Sequence, residues 1–374
     1  MRFTRWLIPA SLLSLAACGA GDAGSALETI RLEAVQELRI GSVDDPGTYL
    51  TRFDHLVVAP DGRIYTAHDQ EKLIRIHDAE GRRIRTIGRE GSGPGEFRRL
   101  DALGLLGDTL WVFDSGNTRF SYFTLDGELI GHRLVTIDLG GPDRNPPRPK
   151  GHFSDGTIRG EPPAWSAEVV AGRITETPIL RVDEKGTPLD TVAIQHWVNT
   201  TLGIRDPDQP DGWGIYGEQP YSDTRLTRIA PFATEVVYVD RLAVRAPAPT
   251  FRVTRLTFDG DTVFTRAYPY TPRPIDPAQV DAFVSEWAQI ISRFPIPNSP
   301  TAATLEKWVR DALYLPAHQP TVSEAVLGYD GSIWLRREWQ RGADTADWLV
   351  FDYLGEPIGT VALPGRLTVL AATR

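Results

Sequence analysis

The sequence predicts an all-β protein: a six-bladed antiparallel β-propeller with a helical hairpin inserted after the fourth blade and a short sixth blade of two or three strands. Three observations predict it. Short β-branched and aromatic runs recur along the chain, separated by turn dipeptides at intervals of about ten residues, the rhythm of four-stranded blades. Two neighbouring units repeat at a fixed offset: Gly81 to Gly127, Ile74 to Phe120 and Tyr65 to Trp111 are each 46 residues apart, a spacing that marks a repeat array. One segment only, about 275–315, replaces the strand rhythm with apolar residues at helical spacing.

The second unit is the clearest. Residues 101–106 form a short apolar run, and Gly107 and Asp108 turn the chain. Residues 109–113 (TLWVF) have the β-branched and aromatic character of a buried strand. Asp114, Ser115, Gly116 and Asn117 make a polar turn, 119–124 (RFSYFT) a third strand, Asp126-Gly127 a hairpin turn and 128–134 a fourth strand. The loop before it, 88–97 (GREGSGPGEF), leads from the outer strand of one blade to the inner strand of the next. Its glycines permit positive φ and Pro94 stiffens it. Glu96 is placed to accept bonds from the loop amides, and Phe97 to wedge between blades. A phosphate-cradling loop is disfavoured, because neither a Gly-Lys-Ser/Thr sequence nor a helix follows.

These residues resemble the NHL-type repeat of six-bladed propellers. The match is carried by Gly93-Pro94-Gly95-Glu96-Phe97, by the turn from Val112 to Asn117, and by Arg119 with Phe123 and Asp126-Gly127. It is specific for one blade and fades elsewhere. The whole chain looks like bacterial lipoproteins of that fold. Some six-bladed relatives are metal-dependent lactonases or lyases whose ligands line the central channel, and no such set matches here residue by residue.

The N-terminus supplies an address. Arg2 and Arg5 form a positive segment, residues 6–15 an apolar one, and Leu15-Ala16-Ala17-Cys18 a small-residue cleavage site ending in cysteine. The apolar run is well short of the roughly 20 residues that a span needs. Residues 1–17 closely resemble a bacterial lipoprotein signal peptide, and Cys18 is the only cysteine. The resemblance implies that Cys18 is acylated, becomes the mature N-terminus and holds the protein at the membrane, since several acyl chains anchor durably where one does not. Gly19, rather than Asp, follows it, which in lipoprotein sorting points to the outer membrane. Residues 18–26 form a flexible linker, and 27–374 a single propeller domain.

A chain of 374 residues, 41% hydrophobic, has ample material for one propeller core. With 40 basic against 49 acidic side chains and no basic cluster, it is a poor nucleic-acid binder. The first blade runs over 53–88, the third over about 150–194 with an expanded middle loop at 160–176, the fourth over 224–268 and the fifth over 318–364. Asp276 reads as an N-cap with Pro277 at the first helical position. Val280, Phe283, Val284, Trp287, Ile290, Ile291 and Phe294 then recur at helical spacing, and Ser299-Pro300 opens a second helix. Only 365–374 remains for a sixth blade, so the strands of 29–40 are expected to join it and close the ring by pairing the chain ends.

Catalytic signatures are sparse. No two histidines show zinc spacing, and there is no Gly-x-Ser-x-Gly elbow and no acid-rich calcium loop. No catalytic residue, metal ligand or cofactor is assigned. The long loops between blades and in the middle of blades emerge on one face. They concentrate Trp165, Trp197, Trp213, Tyr216 and Tyr221, with Arg144, Arg148 and Arg205 nearby, and aromatics with Arg are the usual anchors of a contact. The expectation is a monomeric cell-envelope module, anchored through Cys18, that binds or scaffolds an envelope protein or small ligand on that face. A channel-centred metal-dependent hydrolase or lyase and a purely structural envelope protein remain the alternatives.

Overall fold

The computed structural model describes residue 27 and residues 29–41, 52–137, 147–161, 169, 171–207, 214–231, 234–243, 249–296, 300–338 and 342–372. Cys18, Arg144, Trp165 and Trp213 lie outside the described residues. Five four-stranded antiparallel blades follow in chain order. The first is β2 (His55–Val58), β3 (Ile64–His68), β4 (Leu73–His77) and β5 (Arg83–Ile87). The second is β6 (Leu100–Leu106), β7 (Thr109–Asp114), β8 (Arg119–Thr124) and β9 (Leu129–Leu134). The third is β10 (Arg148–His152), β11 (Ile158–Glu161), β12 (Glu176–Val182) and β13 (Pro188–His196). The fourth is β16 (Leu226–Ile229), β17 (Glu235–Ala243), β18 (Thr250–Thr257) and β19 (Thr262–Pro269). The fifth is β20 (Val322–Leu327), β21 (Ile333–Arg337), β22 (Thr345–Phe351) and β23 (Pro357–Pro364).

The core lies between blades, as the alternation of the strands requires. Tyr65, Ile74 and Ile76 of the first blade meet Leu110, Val112 and Phe97 of the second. Trp111, Phe113 and Phe120 face Ile158, Leu180 and Val182 of the third. Ile179 and Ala193 meet Val236 of the fourth, and Val237, Phe251 and Tyr268 meet Leu335, Leu349 and Phe351 of the fifth.

Among the described residues the propeller has five blades, not six. Residues 29–40 do not build a sixth sheet with the C-terminus. Instead β1 (Arg31–Leu32) adds to the outer edge of the fifth blade, parallel to β23, and Ala372 makes an isolated parallel bridge to Gly328. The physical reason is an apolar face. The side of the fifth blade turned away from the fourth exposes Trp348, Val350, Val361 and Ile358, and Leu32 and Val369 cover it. The termini therefore cap a blade rather than make one. The N-terminal segment acts as a strap across three blades: Leu27 N donates to Pro269 O of the fourth, Ile30 O accepts from Thr360 N of the fifth, and Leu38 and Ile40 pack on Gly81 of the first. Across the same seam Tyr329 of the fifth blade packs into the cluster of the first two and hydrogen-bonds the backbone of Val58.

Two insertions join on one side. Residues read as loop after the third blade contain an antiparallel hairpin, β14 (Thr201–Arg205) and β15 (Gly214–Glu218). The helical hairpin comprises α1 (Pro277–Ile291), capped by Asp276 with Pro277 leading, and α2 (Ala302–Ala312). The N-cap of α2 is Thr301, whose side chain accepts from Thr304 N, so this helix begins just past Ser299-Pro300. The stripe Val280, Phe283, Val284 and Ile291 buries against Leu202 and Ile204 of β14 and against Leu305 and Val309 of α2. Gly217 is needed here, since a Cβ at this position would stand 2.3 Å from the Trp287 ring. Among the described residues no helix is long and apolar enough to cross a membrane.

Candidate functional site

The two ends of the propeller differ because their turns obey different chemistry. On one end the outer hairpins close tightly. Asp78, Asp183 and Asp352 each accept two backbone N–H bonds, from the residues two and four further on, at 2.8–3.1 Å. Thr124 and Thr257 each accept one such bond with a hydroxyl, from Glu128 N and Asp261 N four residues further on. A side chain that satisfies its own turn leaves little backbone for a ligand. The opposite end carries the interblade loops, the β14–β15 hairpin and both helices.

The glycine loop 88–97 belongs to that second end, and its interior is filled by its own side chains. Glu96 accepts from Gly93 N at 2.8 Å and pairs with Arg89 at 2.6 Å, so a carboxylate stands where a phosphate would have to bind. Phe97 is fully buried between the first two blades. Buried Arg119 donates to the carbonyls of Ser92, Gly93 and Glu96 at 2.6–2.9 Å. Asp114 accepts from the backbone N–H of Arg98, Arg99, Gly116 and Asn117. The loop is a structural joint between blades.

The described members of the residue set expected on the loop face do not form one cluster. Arg205 and Tyr216 come together across the β14–β15 hairpin, with the guanidinium 6.0 Å from the ring centroid and 3.4 Å from the phenol oxygen. Tyr216 is 43% exposed. Trp197 is half-buried and donates Nε1–H to Thr177 Oγ1 at 2.6 Å. Tyr221 is buried in the core shared by the two hairpins, and Arg148 is exposed at the start of β10.

A set of charges that the sequence reading missed lies along the axis. Each innermost strand contributes to it, through His55, Asp101, Lys150, Arg228 and Glu324. They act on one another between blades. Burial holds His55 below its ordinary value, with Lys150 adding to the effect and Asp54, Asp101 and Asp69 opposing it. Burial lowers Arg228, opposed by Glu324, Glu218 and Glu161. Burial raises Glu324, opposed by Arg336 and Arg228. Arg228 also donates to Ala325 O at 2.9 Å, tying the fourth blade to the fifth. Arg241, pushed down by burial to about 10, donates to Thr224 O and Val322 O at the same junction. The signal in the sequence was a charge inside an otherwise apolar short strand, as in VSEAVL at 322–327. Among the described residues no three His, Cys, Asp or Glu side chains converge to hold a metal ion.

No family model matches the chain, and no curated protein matches it. Solved structures do. A Bacteroides fragilis protein described as exported aligns at 9% identity and a TM-score of 0.43, over 90% of this chain and 80% of its own. A member of the DUF4221 family from Bacteroides vulgatus aligns at 11% and 0.42, over 86% and 84%. Virginiamycin B lyase from Staphylococcus aureus aligns at 13% and 0.35, over 84% of each chain. At these values the likenesses carry no argument about chemistry, and the propeller is read from the sheet order itself.

Proposed function

We propose that the protein is a lipid-anchored module of the bacterial cell envelope, an NHL-repeat-like lipoprotein that binds an envelope protein or small ligand on its loop face. The observation that carries this reading is the asymmetry of the two ends: one is closed by self-satisfied turns, while the other carries every insertion. Loops and added elements on a rigid scaffold are where binding concentrates. Exposed Tyr216 beside Arg205 supplies a contact of the type that anchors partners. Acylated Cys18, with Gly19 after it, places the module at the outer membrane, and the linker of 18–26 lets the loop face reach a neighbour. A channel-centred hydrolase or lyase has weaker support, because the axial charges offset one another and bridge blades.

The test is capture from native membranes by the full-length lipidated chain. Arg205→Ala with Tyr216→Ala should weaken capture while leaving the melting temperature unchanged, and Cys18→Ala should release the protein into the soluble fraction. Undiminished capture by the double variant would refute the assignment of this surface.

A further inference from the structure

On the loop face of the fifth blade a cavity of about 280 Å³ opens between the ends of β21 and β23. Its walls carry four guanidinium groups, Arg31, Arg273, Arg336 and Arg337, against two carboxylates, Glu338 and Asp347. The strap strand delivers Arg31, and the loop after the fourth blade delivers Arg273, so three separate parts of the chain converge there.

The carboxylates are committed to two of the four. Arg273 pairs with Glu338 at 2.6 Å and Arg31 with Asp347 at 3.1 Å. Arg336 is held in place, donating to Gly365 O at 2.6 Å and lying 3.7 Å from Glu324. Among the described residues the Arg337 guanidinium makes no direct hydrogen bond or ion pair. With Glu324 counted, the cavity has one positive charge more than it neutralises, on Arg337, beside the paired and fixed Arg336. An uncompensated, half-buried guanidinium favours an anion, and the adjacent planar forks of Arg337 and Arg336 fit the oxygens of a phosphate.

We propose that this cavity binds a small soluble phosphomonoester, with Arg337 as the principal anchor and Arg336 as its fixed neighbour. A phosphomonoester presents three acceptor oxygens on one charged centre, which matches two adjacent guanidinium forks gathered at one end of the cavity. The volume is just under the range of roughly 300–1,000 Å³ usual for ligand pockets, so the organic part is only a few heavy atoms. The remaining lone pairs of Glu338 and Asp347 can accept from its hydroxyl groups. This site is distinct from the Arg205–Tyr216 surface, and the two are measured separately.

The experiment is calorimetric titration of the full chain in detergent with sn-glycerol 3-phosphate, with inorganic phosphate, succinate and glycerol as comparisons. Saturable binding of glycerol 3-phosphate that weakens as salt is raised is expected, with phosphate weaker and glycerol silent. Arg337→Ala should reduce affinity at least about tenfold, the usual loss for a hydrogen bond to a charged group, and Arg337→Lys should recover part of it. Should Arg337→Ala fold poorly, Arg273→Ala, in an exposed loop, should reduce affinity at least about threefold. Absence of binding at low ionic strength, equal affinity in both alanine variants, or succinate binding as tightly as the phosphomonoester would overturn the proposal. Vesicles containing phosphatidic acid present the same group on a surface. Retention on them without titration by glycerol 3-phosphate would overturn the soluble-ligand assignment.

Discussion

Asp114→Ala isolates what holds the first two blades in register. The Asp114 carboxylate is fully buried and accepts from Arg98 N, Arg99 N, Gly116 N and Asn117 N at 2.8–3.2 Å, and from Asn117 Nδ2 at 2.7 Å. Alanine leaves four backbone donors without their acceptor. Bonds to a charged group contribute about 1.5–3 kcal/mol each, and an abandoned buried donor costs about 1–3 kcal/mol. Arg98 and Arg99 are exposed, so water replaces part of the loss there, and the net cost should be about 3–4 kcal/mol. For a domain of roughly 340 residues the unfolding entropy is about 0.7 kcal/mol/K, so the melting temperature should fall by about 5 °C. Asp114→Asn keeps one acceptor and should lose about half as much. The assay is thermal unfolding followed by circular dichroism. A shift under about 1 °C for the alanine variant would mean that the carboxylate is not the joint between turn and interblade loop.

Two further outcomes follow from the same structure. Deleting residues 27–42 removes Leu32 from the free face of the fifth blade and unties the fourth, fifth and first blades. At about 1.5–3 kcal/mol per buried aliphatic side chain, plus the lost β1 pairing, the melting temperature should drop by at least about 5 °C, and a tolerated deletion would show that the strap does not hold the ring. Burial, with Arg75 beside it, pushes His68 down to about 4, whereas the unfolded side chain titrates at about 6.5. The unfolded chain therefore binds the proton first: stability is full above about pH 6.5 and falls as the pH drops towards 4. The urea midpoint should decrease between pH 7 and 4.5, and His68→Gln should reduce that decrease. His55, His77 and His152, also lowered mainly by burial, should leave a residual slope. Equal slopes in variant and wild type would contradict the assignment to His68.

What is legible in this sequence is local chemistry. Asp126-Gly127, Asp259-Gly260 and the 46-residue offset read correctly because turn type and strand alternation are set by a few neighbouring residues. Asp276-Pro277 marks the first helix for the same reason. The blade count is a property of ring closure. Arg31–Leu32 pairs in parallel with β23, more than 300 residues away, and no hairpin turn announces such a strand. The β14–β15 hairpin hides behind a glycine-rich pattern, TLGIR and GIYGE, whose partner is a helix far along the chain. Glu324 and Arg228 occupy positions that alternation assigns to solvent, and only the converging inner strands bring them together. Arg336 and Arg337 stand at a strand end, and only the strap and the loop after the fourth blade bring Arg31 and Arg273 beside them.

The measurement closest to the central claim is site-specific photocrosslinking in intact cells. A photoreactive residue is placed at Tyr216 on the loop face, and separately at Asp259, exposed on the turn face. The account predicts a discrete adduct from position 216 that Arg205→Ala diminishes, and none from position 259. An adduct from position 259 with none from 216 would contradict it.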